Sequence, residues 1–331
     1  MNQTAQQPTT NRRGFLLRLL KGGISIGAAC SLSYWLYDAT GPGRVKNQNG
    51  LVTLPDFSIP SPMGKMSIAT GLDRVKAINR GLQALGGIET FIKQGDKVLL
   101  KVNAAFATPP ILSATTNPQL VAEVARLCYK AGASTVVVTD NSINDPSSCF
   151  SLTGIWEGAQ LAGAKVLLPK ESFFQPTTVS DGVLIRNWPI LWEPFQGINK
   201  LIGIAPVKDH HRSGASMTMK NWYGLLGGRR NIFHQDINTI ITELAMMVKP
   251  TLVILDGTTA MMTNGPTGGS LSDLKQTNTM IISTDQVAAD AFGATLLGKT
   301  VAELPYIIKA EAAGLGTADY EALSPARVNV S

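Results

Sequence analysis

Lys97-Val98-Leu99-Leu100-Lys101-Val102-Asn103, followed by Asn117-Pro118 and then by Ser134 to Thr139, decides the fold. The first run reads as a strand, a short apolar stretch with polar ends. Asn117-Pro118 reads as a helix start, an oxygen-bearing cap followed by the imino acid that tolerates the first turn. Val121, Val124 and Leu127 carry that helix at its own period to Gly132, and Ser134 to Thr139 reads as the next strand. Strand, helix and strand at these lengths make a βαβ unit, whose two strands run parallel.

Working outward, strand-like runs recur at Ala164 to Leu168, Lys200 to Ile204, Thr251 to Leu255 and Thr279 to Ser283. Helical spacing fills Asp73 to Leu85, which ends at the C-cap pair Gly86-Gly87, and a further helix is predicted from Gln286 to Leu297 with Asp285 as its cap. The predicted fold is α/β, a largely parallel sheet built from βαβ units with helices on both faces, over residues 72–300. Residues 1–37 read as a signal or membrane anchor, 38–71 as a linker and lead-in segment rich in Gly, Pro, Ser and Asn, and 301–331 as a C-terminal helix and tail.

The chain has 331 residues, 44% of them hydrophobic, which is ample for a substantial core. Its formal charge is +6, but Arg12, Arg13, Arg18 and Lys21 supply four of those charges within an acid-free N-terminal stretch, leaving a body at +2. A nearly neutral body lacks the basic footprint of a nucleic-acid partner. The three cysteines, Cys30, Cys128 and Cys149, form no C-x-x-C pair, so no cysteine-ligated iron–sulfur cluster is expected. Cys128 and Cys149 could pair after export, although Cys128 falls on the apolar face of a helix, where a buried thiol is the commoner state.

Asn11-Arg12-Arg13-Gly14-Phe15-Leu16 resembles the twin-arginine export motif and closely precedes an apolar run from Gly22 to Tyr37. That run is shorter than the roughly 20 apolar residues of a full span, so it reads as a signal core first. Tyr34-Trp35-Leu36-Tyr37 would suit a membrane interface, which leaves cleavage and anchoring both open. Gly27-Ala28-Ala29-Cys30 makes a poor lipobox, with Gly in place of a large apolar residue. The predicted partners are the export machinery and the membrane, and the predicted location is the periplasm or the outer face of the cytoplasmic membrane.

Several strand-like runs end at polar residues: Asn103, Asp140, Asp256, and Lys208-Asp209-His210-His211 beyond Ile204. Open α/β sheets bind ligands outside the carboxyl ends of their strands, so these residues could share one rim. Asp and Asn also end strands simply to cap the next helix, which is the reading preferred for Asp285. All three histidines lie between His210 and His234, in a window that also holds Lys208, Arg212, Lys220, Arg229 and Arg230. Two chemistries fit. The cations could hold a carboxylate or phosphate with a histidine moving protons, or His210, His234 and Asp256 could bind a divalent metal. Asn264-Gly265-Pro266-Thr267-Gly268-Gly269 could offer an anion nest, with Gly265 and Gly268 as cofactor-binding positions. Nicotinamide, P-loop and serine-hydrolase fingerprints are absent from the sequence.

The order of these pieces resembles the domain-of-unknown-function 362 family. It runs from Gly95-Asp96-Lys97-Val98 through Lys101-Val102-Asn103, Thr116-Asn117-Pro118 and Asp140 to Pro206-Val207-Lys208-Asp209-His210. It continues with Met219-Lys220-Asn221, Gly224, His234, Asp256-Gly257, Gly265-Pro266, Asp285 and Asp290. Family members sometimes carry ferredoxin-type cysteine repeats, which this sequence lacks, and Val102 stands where the family tends to have Pro. The resemblance implies a shared pocket without a named reaction. The expected site has Lys101, Lys208 and Lys220 holding negative charge and His210 and His234 transferring protons or binding metal. Asn103 and Asn221 would orient the ligand, and Asp140 and Asp256 would tune or ligate. The alternative is a non-catalytic binding or assembly protein for an exported redox complex, with the aromatic stretch Trp188 to Phe195 as its partner surface.

Overall fold

The computed structural model describes residues 11–36, 50–59 and 64–330. Tyr37 and much of the expected linker, residues 38–49 and 60–63, lie outside the described residues. The chain divides into two units, residues 1–44 and 45–331.

The first unit contains one 25-residue helix, Arg12–Leu36, with no buried residue. It begins at the arginine pair rather than at Gly22, so the apolar run is the C-terminal part of a longer helix. At 1.5 Å per residue it is about 37 Å long, and by length and composition it is sufficient to cross a membrane.

In the second unit the strands are β1 (Met66–Thr70), β2 (Lys97–Lys101), β3 (Thr135–Thr139), β4 (Lys165–Val166), β5 (Phe174–Thr177) and β6 (Trp188–Leu191). They continue with β7 (Lys200–His210), β8 (Gly214–Ser216), β9 (Leu252–Met261), β10 (Leu274–Ser283) and β11 (Ala326–Asn329). The main sheet has the order β11-β1-β10-β9-β7-β2-β3-β4, and β8 folds back on the end of β7. From β4 to β9 all neighbours are parallel, as is the pair β1 and β11. β10 runs antiparallel to both β9 and β1, so the sheet is mixed and mostly parallel.

Alternating residues along the strands enter two separate cores. Val98, Leu100, Val136, Val138, Ile202, Ile204 and Ile254 pack with helices Arg74–Ala84 and Pro118–Lys130 on one face. Leu99, Leu201, Val253, Leu255 and Ile281 pack with helices Ile237–Met247, Gln286–Leu296 and Pro305–Ala312 on the other. Burial on both faces is why these strands read as continuous apolar runs.

The structure shifts two boundaries. The lead-in segment contains β1, a full member of the sheet, and the C-terminal tail contains β11, which extends the sheet beyond β1. The aromatic stretch expected to face a partner is turned inward: Trp188, Ile190, Leu191 and Phe195 are all buried. Cys128 and Cys149 are free thiols, both buried.

Candidate functional site

The carboxyl ends of β2, β3 and β7 converge on a cavity of about 80 Å³. Its lining includes Lys101, Asn103, Asp140, Lys208, His210, Lys220, Asn221 and His234, every residue expected to carry chemistry except Asp256. Lys101 ends β2, and Asp140 directly follows β3. Lys208 and His210 arrive because β7 continues well past the point where its apolar run stops. Lys220 and Asn221 lie on the short helix Thr218–Asn221, whose first amides, Thr218 N and Met219 N, donate to the buried Asp290 at 2.7 and 3.2 Å.

Lys101 has no donor left for a ligand. An ammonium carries three N–H groups, and Lys101 Nζ meets Val102 O at 2.8 Å, Asn221 Oδ1 at 3.0 Å and Asp140 Oδ1 at 2.7 Å. Asp140 also accepts from Ala104 N at 2.7 Å and from Asn141 N at 2.9 Å. The Asn221 amide donates to Lys101 O and Ile204 O, each at 3.3 Å. These three side chains brace the strand ends, and the three Lys101 donors expected to hold negative charge are taken up within the protein. Gly224 permits the arrangement, because a Cβ there would lie 2.0 Å from Asp140 Oδ1 and 2.6 Å from Lys101 Nζ.

The other two lysines are available. Lys208 Nζ donates to Ala114 O at 2.6 Å and lies 5.4 Å from the Phe106 ring centre, leaving two N–H groups. Lys220 Nζ stands 5.0 Å from the Tyr223 ring centre and has no hydrogen-bond acceptor among the described residues. Burial, reinforced by Lys220, pushes the Lys208 ammonium down to about 7. Burial, reinforced by Arg230 and Lys101, brings Lys220 to about 7 as well. Against Lys101, Lys208, Lys220 and Arg230, Asp140 is the one carboxylate lining the cavity among the described residues.

The two histidines present opposite faces. His210 Nδ1 accepts from the backbone N–H groups of Arg212 at 3.1 Å and Ser213 at 3.3 Å, so the neutral ring carries its proton on Nε2. His234 Nδ1 lies 3.2 Å from Asn231 O and 3.1 Å from the Tyr223 hydroxyl, which itself donates to Arg230 O. A carbonyl can only accept, so His234 carries its proton on Nδ1 and leaves Nε2 bare. The rings stack at 17° with centres 5.9 Å apart. Burial beside Lys220 lowers both pKa values, His210 to about 2, so both rings are neutral at physiological pH. The pair thus offers one N–H donor and one free lone pair.

Tyr223 and Arg230 were not among the expected site residues. Arg230 donates to Asn141 O at 2.8 Å, Ser142 O at 2.9 Å and Leu226 O at 3.2 Å, a part-buried guanidinium whose hydrogen bonds go to carbonyls. Its place in the histidine and lysine window was the available signal; Tyr223 had none.

Asp256 is elsewhere. Its carboxylate accepts from Arg74 Nε and Thr258 N, at 2.8 and 2.9 Å, so the set His210, His234 and Asp256 is not assembled. Among the described residues no three His, Cys, Asp or Glu side chains are placed to hold a metal ion. The glycine turn is also satisfied from within: Asp273 accepts from Thr263 Oγ1, Asn264 Nδ2 and Ser270 N. Gly265 instead lets Asp209 O approach, and only Pro266 of that turn reaches the cavity. Asp285 caps its helix, accepting from Val287 N and Ala288 N.

Residues 98–295 match the family described as "Domain of unknown function (DUF362)". The chain belongs to the DUF362 family. A thylakoid-associated protein of Synechocystis is 27% identical to this DUF362 chain over 254 residues, 74% of this chain and 76% of that protein. Among solved structures, the lactate racemase apoprotein from Thermoanaerobacterium thermosaccharolyticum matches with a TM-score of 0.42 and 13% identity, over 76% of this chain and 60% of that one. A Thermotoga maritima protein matches with a TM-score of 0.36 and 11% identity, over 73% of this chain and 59% of the other. The chain spans less than two thirds of either structure.

Proposed function

We propose that this DUF362 chain binds a small anion, phosphate or carboxylate, at Lys208 and Lys220, with His234 Nε2 placed to take a proton from the ligand and His210 Nε2–H to hydrogen-bond it. The observation that carries the proposal is Lys220, a buried side chain whose ammonium lines a cavity and has no acceptor among the described residues. An unpartnered buried cation is expensive, and an anionic ligand supplies both the missing acceptor and the missing counter-charge. Lys220 and the two remaining N–H groups of Lys208 hold the anion. His234 Nε2 takes a proton and the neutral His210 Nε2–H donates a hydrogen bond to the ligand, while Lys101, Asp140 and Asn221 keep the strand ends in register. Metal coordination by His210, His234 and Asp256 forms no part of this reading, because Asp256 is bound to Arg74.

In the same proposal the N-terminal segment directs export by the twin-arginine route and holds the protein at the outer face of the membrane. The arginine pair, the helix Arg12–Leu36 and the thylakoid association named for the Synechocystis relative support it. The anion reading is tested by calorimetric titration of the wild type and of Lys208→Met and Lys220→Met with phosphate and acetate. Wild-type binding weakened about tenfold or more in each variant, the effect of losing roughly 1.4 kcal/mol, is expected. Absence of wild-type binding to both anions, or unchanged affinity in both variants, overturns it.

A further inference from the structure

The small cavity shares part of its lining with a second one. Asn141, Ile143, Tyr223, Arg230 and His234 line it and also line a second cavity of about 460 Å³. The two differ in chemistry. The lysines and His210 belong to the inner chamber alone, whereas Phe174 and the backbone of Gly227 and Gly228 belong to the outer one alone. Gly227 brings the outer wall together, since a Cβ there would lie 2.5 Å from Phe174 Cδ1.

The volumes limit what each chamber accepts. At about 30 Å³ per water in the liquid, the 80 Å³ inner chamber has room for a phosphate or carboxylate group and little more. The outer chamber is more than five times larger and has room for an organic body, with the half-buried Phe174 ring as an apolar wall. We propose that the ligand is a two-part molecule, an anionic head in the inner chamber and an apolar, ring-sized body against Phe174 in the outer one. The inference rests on the anion reading above. Because His234 lines both chambers, its Nε2 serves the atoms that join head to body rather than the far end of either.

The test compares paired probes on the full chain in detergent: inorganic phosphate with phenyl phosphate, and acetate with benzoate, by calorimetric titration. The phenyl-bearing member of the pair matching the true head group is expected to bind at least about tenfold tighter than its bare anion, worth roughly 1.4 kcal/mol. In Phe174→Ala that ratio is expected to fall toward one. Phe174→Leu, which keeps an apolar side chain in β5, is expected to give an intermediate ratio and guards against misfolding of the alanine variant. Phosphate or acetate binding with no phenyl advantage overturns the two-part ligand and leaves the anion reading standing. A phenyl advantage that survives in both Phe174 variants also overturns it, because the body then rests elsewhere. If neither bare anion nor phenyl probe binds, the anion reading itself has failed.

Discussion

Burial holds the Lys208 and Lys220 ammonium groups at about 7, whereas lysine in an unfolded chain stays charged to about 10.4. Between those values the unfolded chain binds protons that the native state lacks, so these groups make the ligand-free protein gain stability as pH rises through that window. Below about 7 both are charged in the fold and the penalty is complete. An anion reverses the trend, because it stabilises the ammonium forms and draws protons in. Sulfate, whose charge is constant over this range, is therefore expected to bind more weakly at pH 9 than at pH 6. At pH 8 its binding should show net proton uptake, read as a binding heat that changes with the ionisation enthalpy of the buffer. Lys220→Met replaces the unpartnered cation with an apolar chain of similar length. It is expected to stabilise the anion-free protein at pH 6 by about 1–3 kcal/mol, to do so less at pH 9, and to lose the thermal shift that sulfate gives the wild type. Equal stability of variant and wild type at pH 6 would mean that Lys220 is already solvated or paired.

At the scale of elements, the site depends on β2 and β3 staying in register, with Lys101 opposite Thr139 and Asp140 one residue beyond. The Lys101 and Asp140 pair closes that end under Gly224. Gly224→Ala is expected to cost about 3–5 kcal/mol by forcing the buried pair apart, and anion affinity should fall with it; urea unfolding reads the first effect and calorimetry the second. Stability within about 0.5 kcal/mol of wild type, the usual range of an uninvolved surface change, would show that the turn yields and that the close approach is not required. The strand centres were legible because burial on both faces gives continuous apolar runs, as at Val98 to Leu100 and Leu201 to Ile204. Their ends were not. β7 continues through Lys208-Asp209-His210 and β10 starts at Leu274, in polar sequence with no apolar period to mark it. Direction was equally hidden: a strand buried on both faces reads the same in parallel and antiparallel pairs, so β10 gave no sign of its reversal. The site followed the same rule. Residue types at the strand ends were readable, but which lysines are spent on neighbours and which remain free depends on contacts more than a hundred positions apart, such as Lys101 with Asn221.

For the whole molecule, the acid-free N-terminal stretch and the nearly neutral body separate two tasks that the overall charge of +6 combines. The helix Arg12–Leu36 carries its basic residues in its first half and its uninterrupted apolar and small residues in its second. That polarity suits a membrane address, and none of it enters the proposed anion site, whose four lining cations come from β2, the end of β7 and the segments that follow β8. Address and chemistry should therefore be separable by mutation. Replacing Arg12 and Arg13 together by Lys keeps the charge and the helix propensity while removing the arginine pair. The variant is expected to remain in the cytoplasm, protected from protease added to cells whose outer envelope has been opened, while binding phosphate with wild-type affinity after purification. Normal delivery of this variant would remove the twin-arginine reading and leave the helix as an ordinary anchor. Lost phosphate binding would instead tie the site to the compartment, through a ligand or partner acquired only after export.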